Sequence, residues 1–296
     1  MNIDLSDDAK EYGRHALRAF DAAGGDQLLQ QAEAKPDTRE ALVAPTLGGL
    51  GAWELEPRSN PDALEAAAAL CRSAGYWALP YPVAERLAGV LVVSDTAPEA
   101  PLAGLDTDWV AATLDGRRSR VTGLGAGGPA FTTAVELTAT DGTADVALGL
   151  VLPCWTLLGM LDRALELTTA HVRLRKQFGQ PLSAFQGVQF QLTDAEVERS
   201  GADILAKYTL WSLVTSDTDT AIDDTLALRL AVLEAAEVVF RVCHQLHGAV
   251  GFCDETTLSW LSRYSQPLRR LPFGLSQTRD ILTTRLGRRG LTGLFS

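Results

Sequence analysis

Two short segments carry side chains that could bind a diphosphate. The first reads Arg175-Lys176-Gln177-Phe178-Gly179-Gln180-Pro181, and the second reads Gln245-Leu246-His247-Gly248-Ala249-Val250-Gly251-Phe252. A guanidinium such as that of Arg175 can hold a pyrophosphate through two parallel hydrogen bonds, which an ammonium cannot do. Glycines such as Gly248 permit positive φ and a close approach of the backbone to a phosphate. The two segments together predict contact with a phosphate-bearing ligand.

Each segment has a simpler interpretation when it is taken alone. The first is compatible with an ordinary helix end, in which Arg175 is a cation in the last turn and Gly179-Gln180-Pro181 stops the helix. In the second, His247 stands at a helix end beside a glycine, where a histidine usually hydrogen-bonds a backbone carbonyl. We therefore predict a structural and not a catalytic role for His247.

The two segments resemble the C-terminal helical domain of the acyl-CoA dehydrogenase family, flavoenzymes that desaturate acyl-CoA thioesters. The resemblance implies FAD as cofactor. It places Arg175, Gln177 and Phe178 where family members touch the pyrophosphate and adenosine. It assigns Gln245, Gly248 and Gly251 to the same cofactor, with Ala249 replacing a glycine that is common in the family.

The family's catalytic glutamate is missing from this chain. Its usual position maps to Pro272 or Phe273, within Leu271-Pro272-Phe273-Gly274-Leu275-Ser276-Gln277, and an alternative family position falls at or near Gly149. Desaturation requires a carboxylate that removes an α-proton while a hydride leaves for the flavin. Glu166 lies on the same helix as Gly149, but its position predicts an ordinary exposed glutamate. The sequence predicts no catalytic residue.

The resemblance also implies a partner. In homotetrameric members one subunit supplies the flavin-ring contacts and the glutamate, and its neighbour supplies the two turns. This chain resembles the subunit without the glutamate in bacterial α2β2 enzymes that act on steroid side chains attached to CoA. The implied function is to complete the FAD site of a partner subunit that carries the glutamate and binds most of the acyl-CoA. Two alternatives stay open: a flavin-free scaffold, and a self-sufficient homomeric flavoenzyme with an unrecognised base.

The sequence on either side of these two segments predicts a mainly α fold with three domains. Residues 1–95 are predicted to form a helical domain, whose helices begin at Ser6-Asp7-Asp8 and at Asn60-Pro61-Asp62. Residues 96–149 have strand-and-turn composition, with a hairpin turn at Asp115-Gly116. This segment is about half the length of the family's middle domain and lacks the loops that hold the flavin ring there, so we predict a shortened β-domain.

Residues 150–296 are predicted to form an antiparallel four-helix bundle. Apolar residues recur at three- and four-residue spacing in the first two helices, which marks one buried stripe on each. A third helix is predicted over about 223–246 and a fourth over 276–286, and Asp254-Glu255 are predicted to cap the helix that follows the second segment. The stripe residues of the first helix are Leu157, Leu161, Ala164, Leu165, Thr168 and Val172, and those of the second are Phe185, Val188, Leu192 and Ala195.

Composition excludes several classes of function. The formal net charge of −11 argues against nucleic-acid binding, because a phosphate backbone selects basic surfaces. The four cysteines show no metal-binding spacing and predict buried reduced thiols. The start of the sequence is acidic, and the most apolar stretch, residues 148–161, is interrupted by Pro153 and is too short to span a bilayer. We therefore expect a cytoplasmic protein with no metal site and no membrane segment.

Overall fold

The computed structural model describes residues 3–101, 109–127 and 132–289. Helices dominate. Along the chain, the strands of a small sheet lie between an N-terminal and a C-terminal group of helices. The helices are α1 (Asp7–Ala22), α2 (Asp26–Ala34), α3 (Arg39–Gly49), α4 (Pro61–Tyr76), α5 (Val83–Ala88), α6 (Val146–Leu174), α7 (Gln186–Thr215), α8 (Thr218–His247), α9 (Thr257–Arg270) and α10 (Leu275–Arg289).

The predicted helix starts in the N-terminal region are confirmed by their caps. The Ser6 hydroxyl accepts a hydrogen bond from the Ala9 N–H at 3.3 Å, and the Asn60 side chain accepts one from the Ala63 N–H at 2.8 Å. Pro61 follows directly as the first residue of α4, where its missing N–H leaves no helical bond unmade. Local sequence therefore determines where these helices begin.

In the part of the chain that the structure describes, the sheet consists of β1 (Leu91–Val92), β2 (Glu99–Pro101), β3 (Val110–Ala112), β4 (Arg117–Gly127) and β5 (Thr132–Thr143). Their order is β1-β3-β4-β5-β2, and β1 pairs with β3 in parallel. The predicted turn at Asp115-Gly116 is confirmed, and Gly116 has a φ of 84°. Strands β4 and β5 pair antiparallel with three shifts in register.

Helix α6 runs unbroken through the stretch where Pro153 predicted an interruption. The helix has 29 residues, with Pro153 inside it, so that expectation was wrong. By length and composition it is long enough to cross a membrane, but 78% of its most apolar window is buried inside the protein. Trp155, Leu158 and Leu161 are fully enclosed, and α6 is the central helix of the main core.

Helices α6, α7, α8 and α10 form the C-terminal bundle. The stripe predicted on α6 is buried throughout, while on the second helix only Ala195 is buried and the other stripe residues are half-buried. The third helix is longer at its N-terminus than predicted, because Asp217 accepts hydrogen bonds from the N–H groups of Asp219 and Thr220 and starts it at Thr218. The predicted fourth helix corresponds to α10.

Helix α4 of the N-terminal region lies directly against α6. Gly75 and Gly159 sit at the crossing, and a Cβ built on Gly75 would lie 1.8 Å from the carbonyl oxygen of Thr156. One hydrophobic core therefore runs from the N-terminal helices into the bundle. The division at residues 95 and 149 stays a prediction, since β1 at Leu91–Val92 belongs to the sheet and α6 begins at Val146.

Candidate functional site

The first predicted segment folds as a hairpin at the C-terminal end of α6. Arg175 caps the helix, and β6 (Lys176–Gln177) pairs with β7 (Gln180–Pro181). The two residues of the turn, Phe178 and Gly179, have φ angles of 52° and 81°, as a turn of type I′ requires. This turn holds the Phe178 ring out from the bundle, and 92% of its surface is exposed.

The hairpin carries an unneutralised positive charge. Arg173, Arg175 and Lys176 are exposed, and no carboxylate among the described residues forms an ion pair with any of the three. Most other arginines of this acidic chain are paired, as Arg72 is with Asp162. The hairpin is therefore a local cationic surface on a protein of net charge −11.

The second predicted segment is the turn that ends α8. Gln245 is exposed on the last turn of the helix, and Gly248 has a φ of 63° with no atom within 4 Å of the place where a Cβ would stand. Gly251 differs, because it is buried and a Cβ there would lie 2.9 Å from the Cβ of His247. Gly251 therefore allows close packing within the turn and does not face solvent.

Stacked histidines hold the two segments side by side. The rings of His171 on α6 and His247 on α8 stack with centroids 4.3 Å apart, and the His244 ring stacks on Phe252 at the same distance. His247 Nδ1 lies 2.9 Å from the carbonyl oxygen of Cys243, which is the backbone contact that the sequence predicted. The structure thus brings Arg175, Gln177, Phe178, Gln245 and Gly248 to one end of the bundle.

Burial lowers the pKa of all three clustered histidines. For His171 the neighbouring His247 and Arg175 lower the pKa further, whereas for His247 the bond to the Cys243 carbonyl opposes the shift without reversing it. Burial and His247 lower the pKa of His244. The unfolded chain consequently binds more protons than the folded chain below the ordinary histidine pKa.

We expect stability to be fully present above a pH of about 6.5 and to fall as the pH drops through the lowered histidine pKa values. Urea titrations at a series of pH values between neutral and mildly acidic test this. His171→Gln should flatten the dependence, and His15→Gln is the control because His15 is exposed on α1, away from the stack. An unchanged slope in His171→Gln would contradict the assignment.

Two expectations next to the second turn are wrong. The N-cap residue of α9 is Thr256, not Asp254 or Glu255. The Asp254 carboxylate instead forms an ion pair at 2.7 Å with Arg263, which lies in the second turn of α9. Cys253 is exposed, whereas the other three cysteines are buried as predicted; all four thiols are free.

The two positions where the family resemblance would place a catalytic glutamate, Phe273 and Gly149, are tightly packed against neighbouring residues. Phe273 is buried, and its carbonyl oxygen accepts a hydrogen bond from Arg229 Nη2 at 2.6 Å. A Cβ on Gly149 would lie 2.7 Å from a methyl group of Val92, so this position has no room for a longer side chain. Glu166 is exposed and bound to Arg163 and Tyr76, as expected of an ordinary glutamate.

Arg229 and Glu85 were not singled out from the sequence. Arg229 is 2% exposed, and its Nη2 also donates to the carbonyl of Leu271, while its Nε has no hydrogen-bond partner among the described residues. Glu85 lines the same cavity of about 30 Å³ as Arg229, and burial raises the pKa of Glu85. The sequence signal for Arg229 was a charged residue within the apolar stripe of α8. No local pattern marks Glu85.

The exposed residues fit an extended dinucleotide such as FAD. Arg175 offers a guanidinium that no described carboxylate occupies, Gly248 leaves the backbone open, and Phe178 offers a free aromatic face. These are the groups that bind a pyrophosphate and stack on an adenine.

The C-terminal half of the chain is similar to known proteins. Residues 149–281 match the model of the acyl-CoA dehydrogenase C-terminal domain. Acyl-CoA dehydrogenase FadE28 of Mycobacterium tuberculosis is 36% identical over 129 residues, which are 43% of this chain and 37% of that protein. The chain thus spans little more than a third of the length of this curated relative.

Two solved structures share the fold over almost the entire chain. A Tcur3481–Tcur3483 steroid ACAD variant has a TM-score of 0.77 at 18% identity, covering 98% of this chain and 100% of that one. The ChsE4–ChsE5 complex from Mycobacterium tuberculosis has a TM-score of 0.73 at 14% identity, covering 99% and 100%. At these identities the likeness shows the fold alone, and it confirms the fold class predicted from the sequence.

Proposed function

We propose, from the match of residues 149–281 to the acyl-CoA dehydrogenase C-terminal domain, that the chain is the non-catalytic subunit of a heteromeric acyl-CoA dehydrogenase. The chain completes the FAD site of a partner subunit. The partner carries the catalytic glutamate and binds most of the acyl-CoA substrate. FAD, when bound, accepts the hydride that leaves the acyl group during α,β-desaturation.

The observation that carries the proposal is the exposed surface at the end of the bundle. Phe178 and Phe252 are 92% and 68% exposed, beside Arg175, which forms no ion pair with a described carboxylate. Exposed aromatic rings leave apolar surface in water, and a dinucleotide held by another subunit would cover it and bring a pyrophosphate to the guanidinium. Arg175 and Gln177 would hold the pyrophosphate, Phe178 would pack on the adenosine, and Gln245 and Gly248 would approach through the second turn, with Gly251 supporting it from below.

The positions that would hold a base support the same division of labour. Phe273 and Gly149 are enclosed by core packing, and the Phe273 carbonyl is bound to Arg229. A carboxylate at either position would be buried without solvent, which costs several kcal/mol unless it is paired. The packing at these two positions supports the proposal that the partner removes the proton.

The relatives suggest which substrates and assemblies apply. One structural neighbour is described as a steroid ACAD and another as a complex of two chains, ChsE4 and ChsE5. By this likeness we propose an α2β2 assembly acting on a steroid side chain attached to CoA, in the cytoplasm.

The test is bound flavin, measured by visible absorbance after gel filtration. The chain is purified alone and also co-expressed with a glutamate-bearing acyl-CoA dehydrogenase subunit from the same source. The proposal expects no flavin in the chain alone and about one FAD for each pair of different subunits. A complex without flavin would favour the scaffold alternative.

Stoichiometric FAD and turnover in the chain alone would instead overturn the proposal in favour of a self-sufficient enzyme. Glu85 would then be the base to test, since it lines one cavity with Gly149 and Pro272. Loss of that turnover in Glu85→Gln, with flavin retained, would identify it.

Arg175→Ala should weaken retention of FAD by the complex. A charge-assisted hydrogen bond contributes about 1.5–3 kcal/mol, so we expect roughly 10- to 100-fold weaker binding. Flavin release is followed by fluorescence during dilution of the complex. Arg118→Ala is the matched control, because Arg118 is an exposed arginine on β4; equal flavin retention in both variants would count against the assignment.

A further inference from the structure

Two histidines join the turns that carry the proposed FAD contacts. His171 lies in the last turn of α6, and its carbonyl accepts a hydrogen bond from the Arg175 N–H at 2.8 Å. His247 lies in the last turn of α8, directly before Gly248. The two rings stack with centroids 4.3 Å apart and planes inclined by 21°. Each turn is therefore linked to the other through rings that can bind a proton.

The hydrogen bond of His247 determines which nitrogen of that ring is available. Nδ1 lies 2.9 Å from the carbonyl oxygen of Cys243, and because a carbonyl only accepts, Nδ1 carries the hydrogen. The nitrogen of neutral His247 that can bind a proton is therefore Nε2. The pair has room for one added proton, on His247 Nε2 or on the half-buried His171 ring, because two imidazolium rings at this distance would repel each other.

Cationic and titratable groups surround the stacked pair. Arg175, at the end of α6, acts on His171 through its charge. His244, one turn before His247 on α8, interacts with His247 in the same way. Lys176 follows Arg175 in the hairpin and is exposed. In the free chain a proton on the pair therefore meets positive charge at the end of α6 and in the hairpin.

Among the described residues that pack against the ends of α6 and α8, no carboxylate offsets this charge. The short segments Leu182–Ala184 and Gly248–Phe252 contain no charged side chain, and neither do the first two turns of α7. Asp254, in the turn that follows, pairs with Arg263 at 2.7 Å, and Glu255 is exposed. An anion that reaches the pair must therefore come from a ligand.

A diphosphate bound by Arg175 would reverse this balance. Burial lowers the pKa of His171, and His247 and Arg175 lower it further. A pyrophosphate on the Arg175 guanidinium neutralises one of these cations and brings negative charge to the pair, which favours the protonated ring. The free carbonyls in the last turn of each helix favour a cation as well. Ligand binding at Arg175 therefore raises the proton affinity of the pair.

We propose that the stacked His171–His247 pair takes up a proton from solvent when FAD binds, so that the two turns hold the cofactor more tightly in mildly acidic solution. The inference rests on the proposed function, because it concerns the regulation of the same FAD site. The proton binds to a ring nitrogen of the pair, and no other bond forms or breaks. His171 and His247 are positioning residues, which act on the cofactor through Arg175 and Gly248.

Histidine titration by NMR tests the inference on the chain alone. The chain has four histidines, so the ring signals of a sample with isotope-labelled histidine can be assigned with single variants. ADP is the probe, because it carries the diphosphate and the adenosine that the two turns would bind. Saturating ADP should raise the proton affinity of His171 or His247 by about tenfold. It should leave His15 unchanged, since His15 is exposed on α1.

Isothermal titration calorimetry of the flavin-free complex with FAD counts the protons directly. Heats measured in buffers of different ionisation enthalpy should show uptake of roughly half a proton for each FAD at a pH of about 6.5. Binding should be up to about tenfold tighter at a pH of about 6 than at about 8. His171→Phe keeps a ring for the stack but binds no proton, so it should retain the affinity at the higher pH and lose most of the pH dependence. His15→Gln is the control and should behave as the wild type.

Three results would overturn the inference. FAD binding without proton uptake would show that the pair does not respond to the cofactor. An equal pH dependence in His171→Phe and the wild type would assign the proton to another group, such as His244. If the complex holds no flavin, the proposed function fails and the ADP titration still decides: unchanged proton affinities of His171 and His247 contradict the coupling. Flavin content and proton count thus separate failure of the FAD site from failure of the coupling.

Discussion

Gly159→Ala is expected to destabilise the chain by about 3 kcal/mol or more and to lower its melting temperature by at least roughly 6 °C. The added Cβ would lie 1.9 Å from the carbonyl oxygen of Arg72 and 2.8 Å from the backbone nitrogen of Tyr76. Because both obstacles are backbone atoms, no change of rotamer relieves the clash. Helices α4 and α6 would have to separate, and the core that they share would lose its packing.

Differential scanning calorimetry of Gly159→Ala and Gly187→Ala measures this effect against a matched control. Gly187 lies in α7 with open space around it, so alanine there should be neutral or stabilising by about 0.5–1 kcal/mol. Equal melting temperatures for the two variants would show that α4 and α6 do not approach so closely in solution.

Arg72→Ala is expected to cost about 2–4 kcal/mol. The Arg72 guanidinium bonds Asp162 through Nε at 2.7 Å and Asp203 through Nη1, and it lies 5.9 Å from the centre of the Trp155 ring. These charged side chains are between 14 and 26% exposed, so removal of the cation leaves carboxylates in a poorly solvated place. The ion pairs join α4 to α6 and α7.

The acid dependence of stability gives Arg72→Ala a second readout. Burial raises the pKa of Asp203, but Arg72 and Lys207 outweigh burial and hold it below the ordinary value. In the wild-type chain this contribution is present above the unfolded pKa of about 4 and is lost as the pH falls through the lower folded value. Arg72→Ala should reduce that acid-dependent loss.

Urea titration of a double-mutant cycle with Asp203→Asn isolates the pair. Arg14→Ala is the control, because its pair with Glu11 is more than half exposed on both sides and exposed pairs contribute about 0–1 kcal/mol. A coupling energy for Arg72 and Asp203 no larger than the effect of Arg14→Ala would contradict the expectation.

Much of the fold could be predicted because its signals are local. Ser6 and Asn60 cap helices through side-chain bonds to residues three positions away, and the Asp115-Gly116 turn needs only a glycine that accepts positive φ. The errors arose where tertiary contacts prevail over a local signal. Pro153 does not interrupt α6, whose most apolar window is 78% buried inside the protein, and Cys253 is exposed although a cysteine is usually buried.

The candidate site divides in the same way. Arg175, Gln177, Phe178, Gln245 and Gly248 were predicted as cofactor contacts from the motifs and the family that they resemble, and the hairpin that exposes Phe178 follows from a turn chemistry contained within four residues. The burial of Gly251 was not predictable, because it depends on His247 folding back over it. The cavity shared by Glu85 and Arg229 joins helices α5 and α8, which are distant in sequence.

The sequence by itself determined the helical periods, the caps, the two turn segments and the lack of an acid at positions 149, 272 and 273. Only the tertiary structure decided that His171 stacks on His247 and so joins the two turns, that Gly75 and Gly159 bring α4 onto α6, and which face of α7 stays outside. Helix periods and turns follow from interactions between residues that lie only a few positions apart in the sequence. Contacts between distant segments depend on the path of the whole backbone, and an apolar stripe on each face of α7 does not reveal which one the core will cover.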